Sequence, residues 1–513
     1  MESGPAPEMG TAKNGAPVCS VRGVRLHSLY DPVREASRFA EAEKNRLVSQ
    51  NLSPALIFIT EPALSYTAEI FHGLFPGARV CAVRYTRSFD RWNTGWDRVF
   101  YACGTTGEAL GEALFAAFGE EALCSAAFLS WGASERAFPS ESELAWGGIK
   151  AAVEKSRDVL ATREYFSLRW LKNALRFCGD VGRIARFAPG DSPVLIAASG
   201  PSLGGVIPFI RERGEDFFII ALSSAWGTLR SADIHCGLCV ATDGGFWAKE
   251  LLSPSGGDSG PRPVFALSPE SALPGGLLRE SPVLPLSYPD SSLAKTLLAL
   301  RGIPPVTVER NGTVSGTALS LAFALSAGPV FFCGLDLAPG AGYQHALPNP
   351  REDRERRGDG RLSPLAGRLA QEGFQAQGAL GLYRRWFAAR VFPRGVYRIS
   401  AGPYVAPLGT IRDISPAEYD ALCLKGGRKP RLSALETPSG DTGAVAEALR
   451  ADLGRVKQGE DPRVFSLGEL FPAGYTRALR SLHREAELDA LRDRTAGRIE
   501  ELLSFLGSIW GAE

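Results

Sequence analysis

The residues of this chain best equipped for chemistry are small, hydroxylated or acidic, and they follow apolar runs. Val194-Leu-Ile-Ala-Ala198 leads into Ser199-Gly200-Pro201-Ser202, and a helical stretch from Val206 to Arg211 follows. A strand that ends in a small-residue turn and opens a helix is a nucleotide-binding arrangement. Gly200 lets the backbone approach a phosphate or ribose, and the free N–H groups of the helix start favour an anion. The turn is neither G-x-G-x-x-G nor G-x-x-x-x-G-K-[ST], so neither a dinucleotide fingerprint nor a P-loop is signalled. Phe217 to Leu222 forms a second apolar run, ending in Ser223 and Ser224. A third ends in Asp243. Asn311-Gly312-Thr313-Val314-Ser315 then offers two hydroxyls at the start of an apolar helix. Pro329 to Cys333 ends in Gly334 and Asp336, and Tyr343 and His345 follow. Thr313, Ser315 and the helix start there suit a phosphate, because hydroxyls and N–H groups converge on an anion. Histidine titrates near neutrality, which suits His345 to proton transfer; the other reading is a loop histidine lining a pocket. Asp243 suits ribose, a metal or an acceptor equally with a turn before Gly244-Gly245. Asp336 is either a functional carboxylate or a cap that orders the rim.

Parallel α/β sheets collect ligands outside the carboxyl ends of their strands. The runs above therefore predict one rim that gathers these residues, and the fold class expected is α/β. A Rossmann-like central domain is flanked by a smaller N-terminal α/β domain and a helical C-terminal region. Residues 1–18 read as a disordered tail, rich in Gly, Pro, Ala and polar residues without an apolar core. Residues 19–144 alternate apolar runs (Ala55–Thr60, Arg79–Val83, Arg98–Tyr101, Ala126–Ser130) with helical stretches. Residues 145–190 read as a helical connector, 191–425 as the central domain with an insertion-like loop at 253–261, and 426–513 as a linker and helical region. Apolar residues recur at helix spacing from Tyr475 to Trp510.

The ordered set Gly200-Pro-Ser-Leu203, Ser223-Ser224, Asp243, Gly312-Thr-Val-Ser-Gly316, Gly334-Leu-Asp-Leu337 and His345-Ala346 resembles the motility-associated factor (Maf) flagellin glycosyltransferases. Leu168-Arg-Trp-Leu-Lys-Asn173 resembles the helix that precedes their central domain. That domain is shared with 6-hydroxymethylpterin pyrophosphokinase-like proteins and is similar to the nucleotide-binding half of bacterial CMP-sialic acid sialyltransferases. Leu335 stands where the Maf pattern usually has Gln, and Ala338 where sialyltransferases carry an aromatic residue.

The resemblance implies a glycosyltransferase that moves a nonulosonic sugar from a CMP-linked donor to Ser or Thr of flagellin. Ser199, Gly200, Pro201, Ser202, Ser223, Ser224, Asp243 and Asn311 would bind the nucleotide. Gly312, Thr313, Ser315 and Tyr343 would serve the phosphate and leaving group, with His345 and Asp336 as catalytic candidates. No cofactor is firmly implied and no ligand cluster demands a metal, although a divalent ion is compatible with the reaction. Two rivals are a pterin-type pyrophosphokinase using ATP and a non-catalytic flagellin-binding assembly factor.

At 513 residues the chain is long enough for two or three domains. The net charge of +1 signals neither a nucleic-acid surface nor an acidic tail. Nine cysteines, mostly inside apolar runs, point to a reducing compartment. With no signal peptide and no run of about 18 apolar residues, the expectation is a cytoplasmic protein without a membrane span. Cys236-Gly-Leu-Cys239 lacks the second pair that a zinc site would need and reads as packed strand.

Overall fold

A computed structural model of the chain describes residues 5–252, 262–289, 291–337, 342–400, 407–422 and 427–510. The loop at 253–261 and Ala338 lie outside the described residues. The chain divides into two compact units. One takes the residues up to Ser167 with Arg455–Pro462 and Ser466–Arg498, and the other takes Leu168–Gly454, Arg463–Phe465 and the residues from Ile499 onward.

The first unit holds two sheets. Strands β1 (Glu8–Thr11), β2 (Pro17–Val21) and β3 (Val24–Arg25) form an antiparallel meander. The N-terminal tail is therefore not disordered throughout. Gly15, at φ 87°, turns the chain so that Glu8–Thr11 pairs with Pro17–Ser20. Strands β4 (Leu56–Thr60), β5 (Arg79–Arg84), β6 (Arg98–Tyr101) and β7 (Ala127–Ser130) make a parallel sheet in the order β6-β5-β4-β7. They coincide with the predicted apolar runs. Phe58 and Phe128 stack across β4 and β7 with ring centres 4.9 Å apart.

The second unit is built on one large sheet. Its strands are β8 (Ile184–Ala188), β9 (Val194–Ala197), β10 (Phe218–Leu222), β11 (Leu238–Ala241), β12 (Val264–Leu267), β13 (Val283–Ser287), β14 (Val306–Thr307), β15 (Val330–Cys333), β16 (Val396–Ile399), β17 (Arg412–Ile414) and β18 (Arg431–Glu436). The order is β17-β16-β15-β9-β10-β11-β12-β13-β8-β18, with β14 beside β13. All neighbours are parallel except β18, which runs antiparallel to β8. The strands β9, β10, β11 and β15 are buried at every residue, as expected where both faces of a parallel sheet are covered.

From β9 the chain winds outward through β13. It then crosses back through the helix Val314–Leu325 to lay β15 on the other side of β9. That helix packs across β9, β10, β11 and β15. The direction of winding reverses between β9 and β15, so the sheet has its topological switch point there.

Two expected boundaries shift. The connector is a helix from Pro139 to Asp180, and the residues after it form β8, because Ile184 and Ala185 are buried between β13 and β18. The expected linker after residue 425 contains β18, which closes that edge of the sheet. The helix predicted by the spacing up to Trp510 spans Arg484–Trp510. Among the described residues no helix is long and apolar enough to cross a membrane. The eight described cysteines are free thiols. Cys239 is buried inside β11, and burial pushes the Cys236 thiol up to about 12, which suits packing rather than metal or redox chemistry.

Candidate functional site

The switch point brings two loops into direct contact. Gly200 donates its N–H to the carbonyl of Gly334 at 2.8 Å. A Cβ on Gly200 would stand 2.5 Å from that carbonyl and 2.6 Å from the Asp336 carboxylate, so only glycine fits. Ser202 donates its backbone N–H to Asp336 Oδ2 at 2.8 Å and its hydroxyl to Oδ1. Asp336 thereby occupies the start of the helix Leu203–Arg213. The sequence suggests this helix start as a place for an anion, but the chain's own carboxylate already supplies the negative charge. A second anion there would meet repulsion. Carboxylate and hydroxyl side by side suit a diol instead.

The turn is held from below. Arg398, 2% exposed, grips Asp413 through two nitrogens at 2.7 and 2.9 Å and donates to the Leu335 carbonyl at 3.1 Å. Leu335 itself is 1% exposed and belongs to the central core, which accounts for an apolar residue at that position.

The segment after the turn lies over β9 and β10. Ala346 donates to the Ser199 carbonyl at 2.8 Å. The Thr228 hydroxyl donates to the carbonyls of Ala346 and Pro348, and the Asn349 amide donates to the Ser224 carbonyl at 3.1 Å. Ser223 is buried and Ser224 half-buried at the start of the helix Ser223–Ser231. His345 is thus placed beside Ser199, with its Nδ1 at 2.7 Å from Glu352 Oε1. Tyr343 is half-buried in the same segment, and Pro201 is exposed.

The other candidates gather at the ends of β11 to β14. Asp243 is exposed and accepts from the Gly245 N–H at 2.8 Å, as its turn reading requires. Its charge adds to burial, the larger cause, in raising the Tyr383 phenol. The Asn311 side chain accepts from the Thr313 N–H at 3.2 Å, and Gly316 leaves room for it. Gly312 is at φ 76° with open space beside it. Thr313 begins the helix Val314–Leu325 without a side-chain cap, and Ser315 is buried in its first turn. Arg310 meets both oxygens of buried Glu270 at 3.0 Å and stacks 4.1 Å from the Tyr288 ring centre. The Asn173 amide holds the Glu270 carbonyl at 3.0 Å, and Trp170 approaches Gly244. The Trp170-to-Asn173 motif therefore supports this cluster.

The predicted residues consequently form two groups on one edge. Ser199 to Ser202, Ser223, Ser224, Asp336, Tyr343 and His345 surround the ends of β15, β9 and β10. Asp243 and Asn311 to Ser315 surround the ends of β11 to β14, and the hydrogen bonds of Thr313 among the described residues stay within its own loop and helix. From β9 to β11 is two strand spacings, roughly 10 Å. The first group carries the Asp336 carboxylate; the second carries Asp243, the Arg310–Glu270 ion pair and a helix start without a side-chain cap.

Sequence reasoning missed Glu352, Glu270 and the placement of Arg310. Asn349-Pro350 followed by an acidic residue is a helix-start signal that flags Glu352. Glu270 has no such local sign. Among the described residues no three His, Cys, Asp or Glu side chains converge as a metal-ligand set.

This is a doubly wound α/β unit whose switch point carries a polar turn. Residues 169–341 match the family model described as 6-hydroxymethylpterin diphosphokinase MptE-like, over the stretch where the motif resemblance lies. A protein of Treponema pallidum (strain Nichols), described as uncharacterized, is 31% identical over 268 residues. The alignment covers 52% of this chain and 58% of that protein, so it spans under two thirds of the relative's length. A solved structure described as the MAf glycosyltransferase from Magnetospirillum magneticum AMB-1 is 14% identical, with a TM-score of 0.49, covering 97% of this chain and 91% of the other.

Proposed function

We propose that the chain is a glycosyltransferase that moves a nonulosonic sugar from a CMP-linked donor to Ser or Thr hydroxyls of flagellin. The observation that carries this reading is that the motif residues gather in two groups along one edge of the parallel sheet, one at the switch point and one at a helix start. The Ser202–Asp336 pair suits ribose hydroxyls, and the uncapped helix start at Thr313 with Arg310 suits a phosphate. In the transfer, an acceptor hydroxyl oxygen bonds to the anomeric carbon as the bond from that carbon to the phosphate oxygen breaks. CMP leaves with the bonding electrons, and His345 takes the hydroxyl proton. Tyr343, in the same segment as His345, offers a phenol donor on that side of the rim.

The match to a pterin diphosphokinase-like family favours one second reading, an ATP-dependent diphosphate transfer to a pterin-like alcohol. Thermal unfolding with CMP, UDP, and ATP with Mg²⁺ separates the readings. A ligand at 100 times its Kd adds about 2.7 kcal/mol to the folded state. CMP-selective stabilisation supports the transferase, and ATP-selective stabilisation supports the diphosphokinase. No response to any nucleotide overturns both and leaves a binding or assembly role.

A further inference from the structure

We infer that Glu352 is a positioning residue that fixes His345 with its proton on Nδ1, so that Nε2 is the proton acceptor of the site. The inference rests on the reading of His345 as the base of the proposed transfer. One carboxylate oxygen, Glu352 Oε1, faces both nitrogens that His345 can offer locally, the ring Nδ1 at 2.7 Å and the main-chain N–H at 3.1 Å. An ionised carboxylate has no hydrogen to give, so both nitrogens donate to it. A neutral imidazole carries one N–H; with that on Nδ1, the lone pair is on Nε2.

The carboxylate is fixed in place. Glu352 is 1% exposed and sits in the first turn of the helix Pro350–Arg357, where the helix dipole favours negative charge. Asn349 anchors that helix, accepting from the Arg351 N–H at 3.0 Å and donating to the Ser224 carbonyl at the end of β10. Charged neighbours on the helix engage other groups. Asp353 pairs with Arg356, Glu355 pairs with Arg368, and Arg351 and Arg354 lie over the Trp247 ring at 6.0 and 5.6 Å. Glu352 Oε2 is buried without a hydrogen bond among the described residues. Packing alone does not repay a buried carboxylate with an idle oxygen, since an apolar side chain would fill the space at less cost. Orienting a base is a function that does require the charge.

The test uses the full-length protein with purified flagellin and CMP-N-acetylneuraminate as the donor probe. Glu352→Gln is expected to lower kcat roughly 100-fold while KM for the donor and the affinity for CMP stay within about twofold. Glu352→Asp, which keeps the charge, is expected to recover part of the loss. A Gln variant with kcat within about twofold of wild type, or one that raises KM and leaves kcat alone, overturns the inference. Ring-nitrogen NMR of ¹⁵N-histidine-labelled wild type needs no variant to fold. An Nδ1-protonated His345 is expected, and an Nε2-protonated ring overturns the inference. A wild-type protein that neither binds CMP nor transfers the sugar overturns the transferase reading instead, and the role of Glu352 falls with it.

Discussion

At the scale of single residues, the switch-point turn has almost no tolerance. Gly200 is caught between the Gly334 carbonyl and the Asp336 carboxylate, and neither is the movable end of a flexible chain. Gly200→Ala is therefore expected to cost about 1–3 kcal/mol in urea unfolding, because the added methyl must push the two loops apart. It should also abolish CMP binding in calorimetry. An alanine variant with wild-type stability and affinity would mean that the two loops are not locked together. Asp336 shows what a linear reading can and cannot reach. Its position after an apolar strand marks it as a rim residue, and both roles considered for it remained open. Only the fold puts its carboxylate against Ser202, 134 positions earlier. Glu270 was invisible for a related reason, since its partner Arg310 meets it through tertiary packing that no spacing encodes; Glu352 carried a helix-start sign, but nothing in the sequence marked its pairing with His345.

At the scale of elements, the helix start on the sheet edge makes a specific demand. The helix Val314–Leu325 begins with N–H groups that no side chain caps, and Arg310 stands just before it. Arg310→Gln is expected to weaken CMP binding by about 1.5–3 kcal/mol, the range for a hydrogen bond to a charged group. The affinity for cytidine, which lacks the phosphate, should change little. Equal losses for CMP and cytidine in titration calorimetry would place the phosphate elsewhere. The strands that shape this edge were legible because residues buried on both faces read as unbroken apolar runs, as in Phe218-Ile-Ile-Ala-Leu222. By contrast, β18 was read as linker. Its Arg431-Leu-Ser433 start mixes charge with apolar residues because an edge strand keeps one side in water. The hairpin at Glu8–Val21 escaped notice because β1 is exposed at all four residues and so shows no apolar periodicity.

At the scale of the molecule, five of the eight described cysteines are withdrawn into the interiors of the two units. Cys19, Cys81, Cys178, Cys239 and Cys333 are buried, and burial raises every one of these thiols, Cys81 to about 11 and Cys178 to about 12. Reactivity follows the thiolate. Brief iodoacetamide treatment at pH 7.5 followed by mass spectrometry should leave these five unmodified in the folded protein and label them after guanidinium unfolding. Rapid native labelling at Cys178 or Cys333 would contradict the packing described. The order of the strands also bears on how the chain is made. Arg186 in β8 meets Glu436 in β18, 250 positions later. At ribosomal rates of about 5–20 residues per second, β8 waits on the order of 10–50 s for its neighbour to emerge. During synthesis that flank is an open seam, and a nascent chain halted before β18 would expose it to chaperones or to other unfinished copies.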